Sequence, residues 1–142
     1  MAKFYLAGPM SNKPQFNFPM FFRVGKRLRE LGYDIVSPAE IDDKEDNGAA
    51  LQSPDGDPTN RTHMNNKTWG DFLARDVKLL ADGGITGIIF LPEWETSSGA
   101  KLEATVGLLK KFEFMRWDED SNEPVPMARL SVACALHQEF IR

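Results

Sequence analysis

Short apolar runs alternate along this chain with stretches in which apolar residues recur at helical spacing, and this alternation predicts a sheet covered by helices. Lys3 to Ala7 (KFYLA) is an apolar run halted by Gly8-Pro9, the pattern of a buried first strand that hands over to a loop. After the aromatic stretch Phe16 to Pro19, the residues Phe21, Val24, Leu28 and Leu31 recur at spacings of three and four, with Arg23, Lys26, Arg27 and Arg29 between them and Gly32 as a stop. Tyr33 to Ser37 predicts a second strand, ended by Pro38, whose ring holds the preceding residue extended. Trp69 to Leu80 returns to helical period, and Gly87 to Leu91 is a continuous apolar run suited to a strand buried on both faces. Ser97, Ser98 and Gly99 open a helix to about Lys111, Phe112 to Trp117 predicts a fourth strand, and Met127 to Phe140 a closing helix. The expectation is an α/β three-layer sandwich with a mostly parallel central sheet, Rossmann-like or flavodoxin-like, in one domain over residues 1–142.

From about residue 42 to 68 the composition turns to Asp, Asn, Gly, Pro, Ser and Thr, which bury too little apolar surface to form a core layer. This stretch reads as a long loop, of a length that inside a compact domain often serves as a lid or is simply mobile. The net charge of -4, from 17 basic and 21 acidic residues, offers no general attraction to nucleic acid or to an anionic membrane. Cys134 is the single cysteine, so no intrachain disulfide forms, and with only His63 and His137 beside it a Cys/His zinc site lacks ligands. No apolar run approaches the ~20 residues of a membrane helix, and no signal peptide is evident. A cytoplasmic protein that uses no cofactor is expected.

No internal repeat is present, and neither G-x-x-x-x-G-K-[ST] nor G-x-G-x-x-G occurs, which removes the main support for triphosphate and dinucleotide folds. The ligand site of such a sheet is expected beyond the carboxyl ends of its strands, in the loops after strands one and three. Two carboxylates stand out there. Asp76 falls on the apolar stripe Trp69, Phe72, Leu73 and Leu80, so it aims inward and calls for a partner such as Arg75 or Arg23, a rotation to the helix rim, or a task. Glu103 sits early in its helix, where the helix dipole favours an ionised carboxylate, and Ala100 three residues earlier denies it a capping box. Gly99 and Ala100 keep the approach to that helix bare, open to a ligand. Two inward acids together suit glycosidic chemistry, in which one carboxylate traps an oxocarbenium-like sugar and another group manages protons.

Tyr5-Leu6-Ala7-Gly8-Pro9-Met10, Arg75-Asp76, and Ser97-Ser98-Gly99-Ala100 followed by Glu103 resemble the nucleoside 2-deoxyribosyltransferase superfamily. More narrowly, YLAGPMS, FNFP, SPAE and LPEWETSSGAKLE resemble a group of small phage and bacterial proteins described only as a domain of unknown function (DUF4406-like), over roughly Lys3 to Lys111. The resemblance implies that Glu103 is the nucleophile toward the anomeric carbon and that Asp76 contacts base or sugar and assists proton transfer. It places Tyr5, Ala7, Gly8, Pro9 and Met10 around the ligand, and it implies a homodimer or higher homo-oligomer in which a neighbouring C-terminal half completes each site, with Asp118 and Asn122 as candidates. Ser97 stands where transferases of free nucleosides resemble one another in having an acidic residue, and a hydroxyl at a helix N-terminus welcomes phosphate. This is similar to the 2′-deoxynucleoside 5′-phosphate N-hydrolases. Ser97 or Ser98 also suits a helix cap. Glu93 departs from the glycine common in related sequences and, with Glu95, brings negative charge toward a phosphate site. Phe16, Phe18, Trp69 and Trp94 are candidates to stack on a base, with Trp94 preferred over Trp69, although aromatic residues at such positions are more often core.

The expected function is therefore cleavage of the base–sugar bond of a nucleoside 5′-monophosphate, or transfer of its deoxyribosyl group to another base. Two other readings stand beside it: a phosphoribohydrolase of the cytokinin-activating type, and a nucleotide-binding module without turnover on the same scaffold.

Overall fold

The computed structural model describes residues 2–59 and 67–141. Strand β1 (Lys3–Ala7) is an inner strand of a five-stranded sheet, between β2 (Asp34–Val36) and β3 (Gly87–Phe90), both parallel to it. Strand β4 (Glu113–Asp118) continues in parallel beside β3, and β5 (Glu123–Pro126) closes the edge antiparallel to β4, for the order β2-β1-β3-β4-β5. The mostly parallel α/β sandwich expected from the sequence is the fold observed. The strand β5 was not expected, because Pro124 and Pro126 lack the N–H groups that a ladder needs; an edge strand tolerates them.

Among the described residues, five α-helices cover the sheet: α1 (Phe18–Glu30), α2 (Pro38–Glu45), α3 (Trp69–Asp82), α4 (Ser98–Leu109) and α5 (Arg129–His137). The closing helix is shorter than expected, beginning two residues after Met127 and ending before Phe140. Alternation along β1 divides the core: Phe4 and Leu6 join Phe21, Val24 and Leu28 of α1, whereas Tyr5 and Ala7 face Ala100 and Ala104 of α4 and Val132 of α5. These residues are buried because helices cover both faces of the sheet. Among the described residues, no helix is long and apolar enough to cross a membrane.

The expected loop over 42–68 is only in part a loop. Helix α2 runs through residues 42 to 45, a turn of 3-10 helix follows at Ala50–Gln52, and Ala50 and Ser53 are buried. Residues 60–66, with His63 among them, lie outside the described residues. The segment before them is tied to the loop after β1: the Asn12 and Gln15 N–H groups donate to the carbonyls of Gly56 and Ser53, both at 2.8 Å. Gly56 has φ +68°, and a Cβ there would stand 2.0 Å from the Lys13 carbonyl oxygen, so only glycine permits this approach.

The chain leaves β1 for β2 on one side and later returns to β3 on the other, so the crevice at their carboxyl ends is a topological switch point. Gly8 and Leu91 meet there, close enough that a Cβ on Gly8 would lie 2.7 Å from Leu91 Cβ. That close approach leaves backbone in place of side chain at the mouth of the crevice.

Candidate active site

A cavity of ≈ 460 Å³ opens at this switch point. The β1 loop contributes Gly8, Pro9, Met10 and Lys13 to its wall, the start of α4 contributes Ser97, Ser98, Gly99 and Ala100, and α2 contributes Pro38 and Asp42. Asp76 of α3 and Glu103 of α4 both face into it, at 7% and 6% exposure.

The two acids are joined through Tyr5. Its hydroxyl, wholly buried beneath the cavity, donates to Glu103 Oε2 and also lies against Asp76. Tyr5 reaches them because alternation along β1 turns it toward the α4 face. Burial raises the pKa of Glu103 well above that of an ordinary glutamate, the charge of Asp76 adds to this, and the Tyr5 hydrogen bond opposes it. The expectation that the helix dipole keeps Glu103 ionised is thereby corrected: it is the sixth residue of α4, beyond the first turn where the dipole acts, and desolvation dominates. Burial likewise raises the pKa of Tyr5, with the negative charge of Glu103 in support.

Asp76 has both a partner and a place on the cavity wall. The Arg75 guanidinium donates to Asp76 Oδ1 from Nη2 at 2.6 Å and from Nε at 3.0 Å, and its Nη1 donates to Asp42 Oδ1. Arg23, the other expected partner, instead pairs with Glu119. Burial raises the pKa of Asp76 against the opposing charge of Arg75, and it raises Asp42 to about 6 although Arg75 binds it. Burial alone would lower the pKa of Arg75, but the Asp42 hydrogen bond and the charges of Asp76 and Asp42 raise it, so this cation stays charged. One guanidinium thus fixes carboxylates from two helices on one floor.

The cavity wall also carries aromatic side chains. Gln15, Phe16 and Asn17 adopt φ of 55°, 53° and 62°, a left-handed turn that for L-residues costs ~1–2 kcal/mol each. Asn17 Nδ2 donates to the Pro9 carbonyl at 2.9 Å and Gln15 Nε2 to that of Leu51 at 3.0 Å, which holds the turn. The result is to set the Phe16 ring against the cavity, with Phe18, Trp69 and Phe72 elsewhere on its wall. The preference for Trp94 over Trp69 is corrected by burial: Trp94 is 3% exposed, stacks on Phe90 with ring centroids 4.1 Å apart and is absent from the wall, whereas Trp69 is 45% exposed and lines it.

At the α4 end, Ser97 caps the helix, its Oγ accepting from the Ala100 N–H at 3.1 Å, and lines the cavity as well. Lys13 and Glu93 form an ion pair of 2.6 Å, so the acidic residue at the departing position is neutralised by a lysine that itself lines the cavity. Ala7 is buried behind Gly8 and lies off the wall, as do Asp118 and Asn122 in the β4–β5 hairpin. Among the described residues, no group of three or more His, Cys, Asp or Glu side chains is arranged to hold a metal ion.

Sequence reasoning missed Asp42, Asp46, Lys13 and Phe72 as cavity residues. A signal for the first was present: Ser37-Pro38-Ala39-Glu40 has capping-box spacing with proline at the first helical position, which would have started a helix and set Asp42 on the same face as Pro38 and Ala39. In the fold Ser37 makes no side-chain cap, and Glu40 turns to Arg29 instead, at 2.6 Å.

A family model described as Domain of unknown function (DUF4406) matches residues 2–114, and the chain belongs to this family. Every residue on the cavity wall lies within the match. No curated protein and no solved structure matches the chain.

Proposed function

We propose that this protein is an N-glycosidase of the nucleoside 2-deoxyribosyltransferase superfamily, acting on a nucleoside 5′-monophosphate with Glu103 as nucleophile. The observation that carries the reading is the meeting of Asp76 and Glu103, from separate helices, on one cavity beside the start of α4, with the Tyr5 hydroxyl between them. The start of α4, with the hydroxyls of Ser97 and Ser98, suits a phosphate, and Lys13, paired with Glu93, lines the same cavity. The aromatic wall suits a planar base.

In this reading an oxygen of ionised Glu103 bonds to C1′ as the C1′–N bond breaks, and the bonding pair leaves with the base. In the productive state the two buried acids share one proton, which sits on Asp76 and passes to the departing base. Water then attacks C1′ and gives its proton to Asp76, which frees the Glu103 carboxylate and releases the sugar phosphate. A second base in place of water completes a transfer by the same intermediate. Tyr5 orients Glu103 and stabilises its charged form by donating to it.

The test is chromatography of reactions with the common deoxy- and ribonucleoside monophosphates, with and without an acceptor base. Release of free base that is lost in Glu103→Gln is the expected result. Release confined to ribonucleotides of modified adenine would replace this reading with the phosphoribohydrolase one, and binding without any release would replace it with a nucleotide-binding module.

A further inference from the structure

The end of the cavity away from α4 holds a carboxylate that the proposed chemistry does not use. Packing sets the layout: Ala39 of α2 joins the core on one face of the sheet and Ala100 and Ala104 of α4 join that on the other, and the two helices reach the same cavity from these opposite sides, through Pro38 and Asp42 and through Ser98 to Ala100. A nucleotide with its phosphate at α4 and its sugar at Glu103 therefore directs its base toward α2. Asp42 lines the cavity there at 6% exposure. Arg75 takes its Oδ1, and among the described residues no hydrogen bond takes Oδ2. Asp46 lines the same end, its Oδ1 accepting from the Gly48 N–H at 3.0 Å.

We infer that Asp42 is a specificity-determining residue that accepts a hydrogen bond from the exocyclic amino group of the base, so that the site takes amino-bearing bases such as cytosine or adenine over their oxo counterparts. The inference rests on the proposed nucleotide reading of the cavity. A carboxylate is an acceptor only, and Arg75 fixes its orientation through Oδ1. An amino group meets it with a donor. An oxo group in the same place sets oxygen against oxygen, and the ring N–H of uracil is flanked by two carbonyl oxygens that a carboxylate repels. With Asp46 beside it, this end of the cavity offers a carbonyl oxygen no compensating donor from either acid. Rejection of a partner that leaves a buried polar group unpaired is the stronger form of discrimination.

The test is calorimetric titration of the full chain with cytidine and uridine monophosphates in their deoxy and ribo forms, and with the adenine and hypoxanthine pair. Wild type is expected to favour the amino member of each pair by about tenfold or more. Asp42→Asn presents an amide that donates as well as accepts, and is expected to abolish or invert that preference while leaving phosphate-dependent affinity in place. Equal affinity for both members in wild type, or an equal loss for both in Asp42→Asn, overturns the inference; wild type needs no variant to fold. Because binding is read apart from turnover, a preference without base release contradicts the glycosidase reading and leaves Asp42 its role. No binding by any nucleotide contradicts both.

Discussion

The Tyr5 hydroxyl of β1 donates to Glu103 of α4, across 98 residues of sequence, and this bond holds the candidate nucleophile at the switch point of the sheet. It favours the carboxylate over the acid, as the Arg75 charge does, against burial and the charges of Asp76 and Asp42. Tyr5→Phe is therefore expected to raise the Glu103 pKa further. The nucleophile must be ionised while Asp76 holds its proton, so kcat/KM is bell-shaped, and its acid limb, which belongs to the coupled Glu103–Asp76 pair, lies above the ordinary carboxylate range. In Tyr5→Phe that limb moves to higher pH, and the rate on its plateau falls about 10- to 100-fold, the worth of a hydrogen bond to a charged group. An unmoved limb would remove Tyr5 from the control of Glu103.

Arg75→Ala leaves Asp42 and Asp76 on the cavity floor without their shared cation. Removing one partner of such a buried arrangement costs roughly 3–5 kcal/mol when the remaining charges persist. Protonation relieves them at low pH, so urea unfolding is expected to show a larger loss at pH 8 than at pH 5. An equal loss at both would mean that packing of the guanidinium over Phe72, 5.7 Å from the ring centroid, is what Arg75 contributes.

Asp42 gives a linkage test with a sign opposite to that of an aspartate whose ion pair outweighs its burial. Its pKa rises on folding from 3.8 to about 6, so between these values the native state holds a proton that the unfolded chain has lost. Its contribution to stability is complete below the unfolded pKa and is lost as pH rises through the folded one. Wild type is thus expected to lose roughly 2 kcal/mol relative to Asp42→Asn between pH 4 and pH 7. Paired denaturant titrations over that range check this, and a constant difference between the two proteins would show that Asp42 titrates as an exposed residue does.

The fold was legible where burial dictates composition. KFYLA and GIIFL are covered on both faces, so nearly every position is apolar, and α1 carries its stripe opposite a row of arginines. Helix α2 was hidden because Pro38–Glu45 is short and turns Asp42 rather than an apolar side chain to the interior, while β5 was hidden by its two prolines. Asp76 and Glu103 were legible as acids on inward faces. Their charge states were not, since these depend on depth of burial and on neighbours such as Tyr5 and Arg75 that only the folded chain supplies. Trp94 shows the same limit: composition names an aromatic residue in the loop after β3, but whether its ring meets Phe90 or a ligand is decided by packing.

Glu103 as nucleophile is tested most directly by mass spectrometry of the protein quenched during turnover of a nucleoside monophosphate, followed by peptide mapping. The account predicts a sugar-phosphate ester on the peptide that contains Glu103, absent in Glu103→Gln. Base release at full rate by Glu103→Gln, or an adduct on any other residue, would contradict it.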